Sequence, residues 1–321
     1  MKKFIINTFI FLLGFFLLSL PITWIVDRGL KKSDYSTEYK EWDDITKGRV
    51  NADILIMGSS KAWRHISPQA LQDSFKISAY NLGMDGTHFR PQKWRFDVYT
   101  KYNKLPKYII QVAGINEFED PHIDYNFTQY IPYLNEGYMQ RFGKNGFLNW
   151  MDQYIPLYKY THSTGIMKAG LMANFKRHDS RNYKDRGFLS LSTHWQDSVF
   201  QATVKKFPHG MKAFADTAAY NDFIAYAEFC KREKIDLIIV NVPSYIGFQK
   251  LVTNPDYIPG LYKKIAAKYN LKYLDYSQDT ICRDTAMFYN FNHLNTRGVG
   301  IFNKILIKDL KKEIKYRTWS L

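Results

Sequence analysis

From Phe4 to Val26 the chain runs without a single charged residue, in the opening stretch MKKFIINTFIFLLGFFLLSLPITWIVDRGLKK. As a helix that run measures about 34 Å at about 1.5 Å per residue, enough to cross the hydrocarbon core of a bilayer. A cleaved signal peptide is the competing reading, because Lys2 and Lys3 form a positive n-region. The apolar stretch is longer than the usual h-region and no A-x-A-like site follows it, so a retained anchor over residues 1–26 is expected. Lys2 and Lys3 on one side nearly balance Arg28, Lys31 and Lys32 on the other, so charge alone does not orient the helix. A very short N-terminal tail before a signal-like run is the usual arrangement of an anchor with an exported C-terminal domain, and that placement, outside the cytoplasmic membrane, is the expectation.

The remaining length suffices for a sizeable core, and 45% of the residues are hydrophobic. The net charge of +15 favours anionic surfaces in general, but lysines and arginines are scattered among acids and no nucleic-acid-binding motif is visible, so no nucleic-acid partner is expected. Cys230 and Cys282 lie far apart without metal-like spacing. The histidines His88, His122, His162, His178, His194 and His209 show no H-x-x-x-H pattern, so neither a metal nor another cofactor is assigned.

A polar linker over 27–50 leads to ADILIMGSS, a short apolar run ending in small residues, which reads as a buried strand feeding a tight turn. Ser67-Pro68 then starts a helix continued by QALQDSF. KISAYNLG, KYIIQVAG, DLIIVNVP and KYLDYS are further strand candidates. RPQKWRFDVYTKYN, TAAYNDFIAYAEFCKREK and GLYKKIAAKYN are helical stretches between them. The alternation predicts an α/β domain over 51–321, with a parallel sheet covered on both faces. From Phe118 to about Ala215 no further buried-strand run appears, and this interval reads as an insertion. It carries many aromatics (Tyr125, Phe127, Tyr130, Tyr133, Tyr138, Phe142, Trp150, Tyr154, Tyr158 and Tyr160) and the charged stretch KRHDSRNYKDR, expected as an exposed loop. The aromatics either pack the insertion or offer platforms for sugars or a membrane partner.

In open α/β sheets chemistry gathers just beyond the carboxyl ends of the strands. Gly58-Ser59-Ser60 follow the first strand, Asn81-Leu82-Gly83 the second and Gly114-Ile115-Asn116-Glu117 the third, and YNFNHLN stands near the end. Acyl transfer through serine needs a hydroxyl, a base and donors for the oxyanion. Ser60 would be the nucleophile and His293 the base, with the N–H groups of Ser60 and Gly83 and the Asn116 amide as donors. Trp63, Arg64 and His65 follow the nucleophile closely and are candidate pocket residues.

These blocks resemble the SGNH (GDSL-like) hydrolase superfamily. MGSS resembles its first block and points to Ser60, NLGMDG points to Gly83, GINE to Asn116, and NFNHLN to the closing Asp-x-x-His. The resemblance implies a flavodoxin-like three-layer fold. The single anchor, GSSKAWRHISP and the HLN ending look most like exported SGNH proteins that work with membrane-bound O-acyltransferases, of the D-alanine transfer and alginate O-acetylation type. That likeness implies O-acyl transfer to a cell-surface polysaccharide acceptor, with a membrane-bound O-acyltransferase as partner. A catalytically silent accessory or glycan-binding partner of such an acyltransferase is the alternative.

Two departures, Ser59 and Glu117 in place of aspartates, remove no catalytic group. The third does: Asn290 stands where the family has the aspartate that orients the histidine. Three outcomes are open. A Ser-His dyad could use the Asn290 carbonyl or a backbone oxygen, Asp275, Asp279 or Asp284 could reach the ring, or the site could be degenerate.

Overall fold

The computed structural model describes residues 1–33, 35–119, 126–136, 150–175 and 185–314. In chain order its helices are α1 (Lys2–Lys32), α2 (Glu38–Thr46), α3 (Ser60–His65), α4 (Pro68–Phe75), α5 (Phe89–Tyr102), α6 (Trp150–Tyr154), α7 (Thr164–Ala173), α8 (Asp197–Lys206), α9 (Thr217–Arg232), α10 (Ile246–Gln249), α11 (Tyr257–Tyr269) and α12 (Thr296–Glu313). Its strands are β1 (Ile54–Met57), β2 (Ala79–Asn81), β3 (Tyr108–Ala113), β4 (Asp236–Asn241), β5 (Lys272–Asp275), β6 (Phe288–Asn290) and β7 (His293–Leu294). The chain divides into two compact units, Met1–Lys47 with Pro121–Tyr183, and Gly48–Asp120 with Lys184–Leu321.

In the second unit β1 to β5 form a wholly parallel sheet in the order β2-β1-β3-β4-β5. This is the flavodoxin-like order, and each strand falls on an apolar run of the sequence. Strands β1 to β4 are largely buried on both faces, as parallel strands between two helical layers must be, while the edge strand β5 is only half-buried. Ile54, Ile56, Ile110, Val112, Ile238 and Val240 point to the face covered by α4 and α12, where Leu71, Phe75, Phe302 and Leu306 complete the core. The opposite face carries rings of α5, α9 and α11 in mutual contact, with Phe89 against Phe223 at 4.7 Å and Phe223 against Tyr262 at 5.4 Å. The helix starts are capped as their sequences ask: Ser67 Oγ accepts from Ala70 N–H, Asp216 from Ala219 N–H and Asn295 from Gly298 N–H. Cys230 and Cys282 are both free and buried.

Residues 185–215 read as insertion in the sequence, yet the structure places them with the sheet. Backbone bonds hold them there: Asn81 N–H donates to Arg186 O, Leu189 N–H to Trp63 O, Thr296 N–H to Leu191 O and Gln196 N–H to Tyr289 O. Main-chain bonds of this kind leave no mark in side-chain periodicity. Of the charged stretch 176–186, Asp185 and Arg186 are described; the rest lies outside the described residues.

In the first unit α1 is one apolar helix long enough to cross a membrane, and it continues to Lys32, beyond the span expected from sequence. The interval read as a linker holds the last turns of α1 and all of α2. Of the aromatics singled out, Tyr130, Tyr133 and Tyr160 are buried, with Trp42 of α2 stacked on Tyr133 at 5.5 Å. Trp150 and Tyr154 are exposed, and Tyr125, Tyr138 and Phe142 lie outside the described residues.

Candidate active site

β1 is followed by Gly58, whose φ of +141° is a conformation open mainly to glycine. A Cβ there would stand 2.9 Å from Val112 Cβ and 3.0 Å from Ala62 Cβ, so the chain turns into α3 only with a glycine at this point. Ser60 is the first residue of α3 and is half-buried.

The antiparallel hairpin β6–β7 carries the candidate base, pairing Asn290 with His293. His293 Nε2 lies 2.8 Å from Ser60 Oγ, and Nδ1 lies 3.1 Å from Asn290 Oδ1. The same Oδ1 accepts the backbone N–H groups of Asn292 at 3.0 Å and His293 at 2.9 Å. These two donors settle the orientation of the amide, because a flip would set its NH2 against two N–H groups. Nδ1 must therefore be the protonated nitrogen and donate to Oδ1. Nε2 is left with a lone pair facing Ser60, the tautomer a general base requires.

None of the carboxylates considered as substitutes bonds to the ring. Asp275 accepts from Asn241 Nδ2 and Ser277 N–H, while Asp279 and Asp284 cap short 3₁₀ turns through Ile281 N–H and Ala286 N–H.

Burial, followed by the charges of Lys61 and Arg64, pushes the His293 pKa down to about 3. The imidazole is thus neutral across the physiological range. The Tyr289 ring stacks on it at 5.4 Å, 6° from parallel. The Arg64 guanidinium lies 3.6 Å over the Trp63 ring and 5.9 Å from that of Tyr289, and donates to Leu189 O.

His65, named from sequence as a pocket residue, is instead fully buried. Its Nε2 accepts the N–H of Leu294, the residue after the base, at 3.0 Å. Asn303 of α12 donates to His65 O and accepts from Ser67 N–H, tying the end of α3 to α12. The Asn of HLN has a comparable task, since Asn295 caps α12 and donates to Ala286 O and Phe288 O.

The expected oxyanion donors differ in state. Gly83 N–H donates to Asn81 Oδ1 at 2.9 Å, so this donor is already occupied. The glycine has a packing reason instead: a Cβ there would stand 2.6 Å from Trp63 N and 2.8 Å from Ala62 Cβ. Asn116 follows β3 with an exposed side chain, and among the described residues its amide makes no hydrogen bond. Its carbonyl accepts from His88 Nδ1 at 2.6 Å and from Glu119 N–H at 3.1 Å, which fixes the turn.

Sequence reading missed a buried polar network beside Ser60. Glu117 accepts from Gln92 Nε2 at 2.7 Å and from Ser59, and burial raises its pKa to about 7. Lys61, likewise buried, donates to Ser244 Oγ at 2.6 Å, and burial lowers its pKa to about 8. Glu117 and Ser59 occupy the two places where the resembled family has aspartates, which was the available clue. Beside this network lies a cavity of about 120 Å³ whose lining includes Lys61, Ile115, Val242, Ser244 and Phe248.

No family model matches the chain, and no curated protein matches it. Among solved structures, a G-D-S-L family lipolytic protein from Desulfitobacterium hafniense aligns at 12% identity, over 80% of this chain and 99% of that one, with a TM-score of 0.39. A GDSL-like lipase from Bacteroides thetaiotaomicron aligns at 12% identity over 81% and 88%, TM-score 0.37. A family two carbohydrate esterase from Clostridium thermocellum aligns at 10% identity over 82% and 65%, TM-score 0.40.

Proposed function

We propose that the protein is an extracytoplasmic serine acyltransferase or esterase that works through an acyl-Ser60 intermediate, with O-acyl transfer to a cell-surface polysaccharide as its reaction. The observation that carries this reading is the continuous relay from Ser60 Oγ through His293 to an Asn290 Oδ1 held by two backbone N–H groups. An asparagine in the third triad position normally costs about 10⁴ in rate, largely by stabilising the wrong imidazole tautomer. Here the amide faces the ring with its oxygen, so the tautomer is correct and only the carboxylate charge is lost.

In the first step Ser60 Oγ bonds to the acyl carbonyl carbon and its proton passes to His293 Nε2. The donor's leaving-group bond then breaks, and the leaving group takes that proton. In the second step the acceptor hydroxyl, of a sugar or of water, gives its proton to His293 and bonds to the acyl carbon, and the acyl–Oγ bond breaks with return of the proton to Ser60. The Asn116 amide and Ser60 N–H serve the oxyanion. A base as weak as His293 suits an activated ester or thioester donor, whose leaving group needs little help. The cavity lined by Lys61 and Ile115, chain neighbours of Ser60 and Asn116, has room for an acetyl-sized group. The apolar α1 and the sequence likeness support a membrane-bound O-acyltransferase as the source of the acyl group.

Intact mass of the full-length protein in detergent after exposure to p-nitrophenyl acetate tests the chemistry. A single acetyl that maps to Ser60 and disappears in Ser60→Ala and His293→Ala is the expected result. Absence of any adduct on folded wild-type protein would overturn it.

A further inference from the structure

Apart from those spread along α1 between Met1 and Ile22, the exposed large apolar residues described in the first unit gather by chain position or by contact at the C-terminal end of α1. Trp24 is 60% exposed, Trp150 64%, Tyr154 57% and Phe175 90%, with Ile155 and Met172 also exposed. Exposed aromatics on this scale need a non-aqueous partner or carry a cost in water. Their neighbours in the chain show where they sit. Leu157 N–H, beyond Tyr154 and Ile155, donates to Thr23 Oγ1 at 2.9 Å, and Asn174 Nδ2, next to Phe175, donates to the Ile25 carbonyl at 2.9 Å.

Further contacts lock the same segment onto α1. The buried Lys159 pairs with Asp27 at 2.8 Å, and Tyr160 Oη donates to Asp27. α7 meets α1 backbone to backbone: a Cβ at Gly170 would stand 2.6 Å from Val26 O, and one at Gly29 1.8 Å from Gly170 O. Close approach through paired glycines leaves no room for a lipid chain between the helices.

Thr23, Ile25 and Val26 are the last residues of the uncharged run that begins at Phe4. That run is about 34 Å long against a hydrocarbon core of about 30 Å, so its last turn lies at the boundary of acyl chains and headgroups. Segments bonded to Thr23 and Ile25 share that depth. The residues they expose are those favoured at such a boundary, with Trp and Tyr prominent and basic groups just beyond. Arg28 stands 5.2 Å over the Trp24 ring, and Lys31 lies 3.4 Å from Glu136.

We infer that α6, α7 and the segment joining them form a collar seated in the headgroup boundary of the bilayer, giving the anchor a second, peripheral grip on the lipid. The collar fixes α1 against the folded part of its own unit, where a flexible tether would leave the helix free to swivel. The inference rests on α1 crossing a bilayer and is independent of the acyl chemistry.

Nitroxide labels on the full-length protein, reconstituted in vesicles of phosphatidylcholine and phosphatidylglycerol, test it. The labels are carried by Tyr154→Cys, Phe175→Cys, Leu12→Cys for the middle of the span, and Lys264→Cys as a water-exposed reference; all four side chains are exposed, so the substitutions leave the core intact. Collision rates with oxygen and with a water-soluble nickel chelate give each label's depth. The expected result is Leu12 deep in the acyl chains, Tyr154 and Phe175 near the phosphate level, and Lys264 in water. Leu12 deep with Tyr154 and Phe175 as nickel-accessible as Lys264 would overturn the collar and leave the anchor. Leu12 in water would overturn both. Labels at 154 and 175 shielded from both reagents would overturn the lipid seat in favour of contact with a second copy of the chain.

Discussion

The two halves of the candidate site are built to different degrees of completion. On the hairpin side Ser60, His293 and the Asn290 amide are already in hydrogen-bond contact, and His65 and Asn295 brace the hairpin. On the strand-end side one expected donor, Gly83 N–H, is occupied by Asn81, and the other, Asn116, extends an unengaged amide. On the proposed mechanism, proton transfer is preorganised in the free protein, whereas oxyanion stabilisation rests on fewer donors. Substitutions on the two sides should therefore differ in size.

The largest effects belong to the assembled side. Ser60→Ala should abolish the adduct, and His293→Ala should slow acylation by p-nitrophenyl acetate by about 10⁴-fold or more, measured as nitrophenolate release in the first turnover. Asn290→Ala comes next. It strips the acceptor from His293 Nδ1 and from two backbone N–H groups, so the ring loses its tautomer and the hairpin its brace, and a loss of about 10³-fold is expected. On the open side Asn116→Ala should cost about 10²-fold, the lower end for an oxyanion donor. An Asn116→Ala loss larger than that of Asn290→Ala would invert the comparison.

Much of this was legible in the sequence. The five sheet strands were visible because each is an apolar run closed by a turn residue, and Ser60, Asn290 and His293 were visible because they follow such runs or stand in the closing block. What escaped detection lies in short or main-chain-mediated structure. The hairpin strands β6 and β7 are too short to show a period, and residues 185–196 are recruited by backbone bonds that any sequence could make. α12 carries readable signals, an Asn295 cap and apolar residues at Val299, Phe302, Leu306 and Leu310, though no strand follows it to continue the alternation. The state of Gly83 N–H was beyond reach, since the partner is an asparagine side chain two residues earlier that could equally have faced solvent.

Asn290→Asp gives a smaller effect and the sharpest test, because it changes the charge facing His293 while keeping an acceptor in place. If the tautomer were wrong in the wild type, restoring the carboxylate would recover most of the factor of about 10⁴. Because Oδ1 already faces the ring, the gain should stay below about 10²-fold. The pH profile should move with it. In the wild type the His293 pKa is depressed to about 3, first by burial and then by Lys61 and Arg64, so acylation should hold nearly level from pH 8 down to about 5, with no limb at the ordinary 6.5. The same depression means that the unfolded chain binds a proton that the folded one refuses. Stability is therefore fully present above pH 6.5 and is lost as the pH falls towards 3, by up to about 1.4 kcal/mol per pH unit. A carboxylate at 290 favours the imidazolium, so Asn290→Asp should raise the acid limb of the rate profile and flatten the acid loss of thermal stability together. A gain in rate with neither curve displaced would mean that residue 290 acts on the hairpin's shape and not on the proton held at His293.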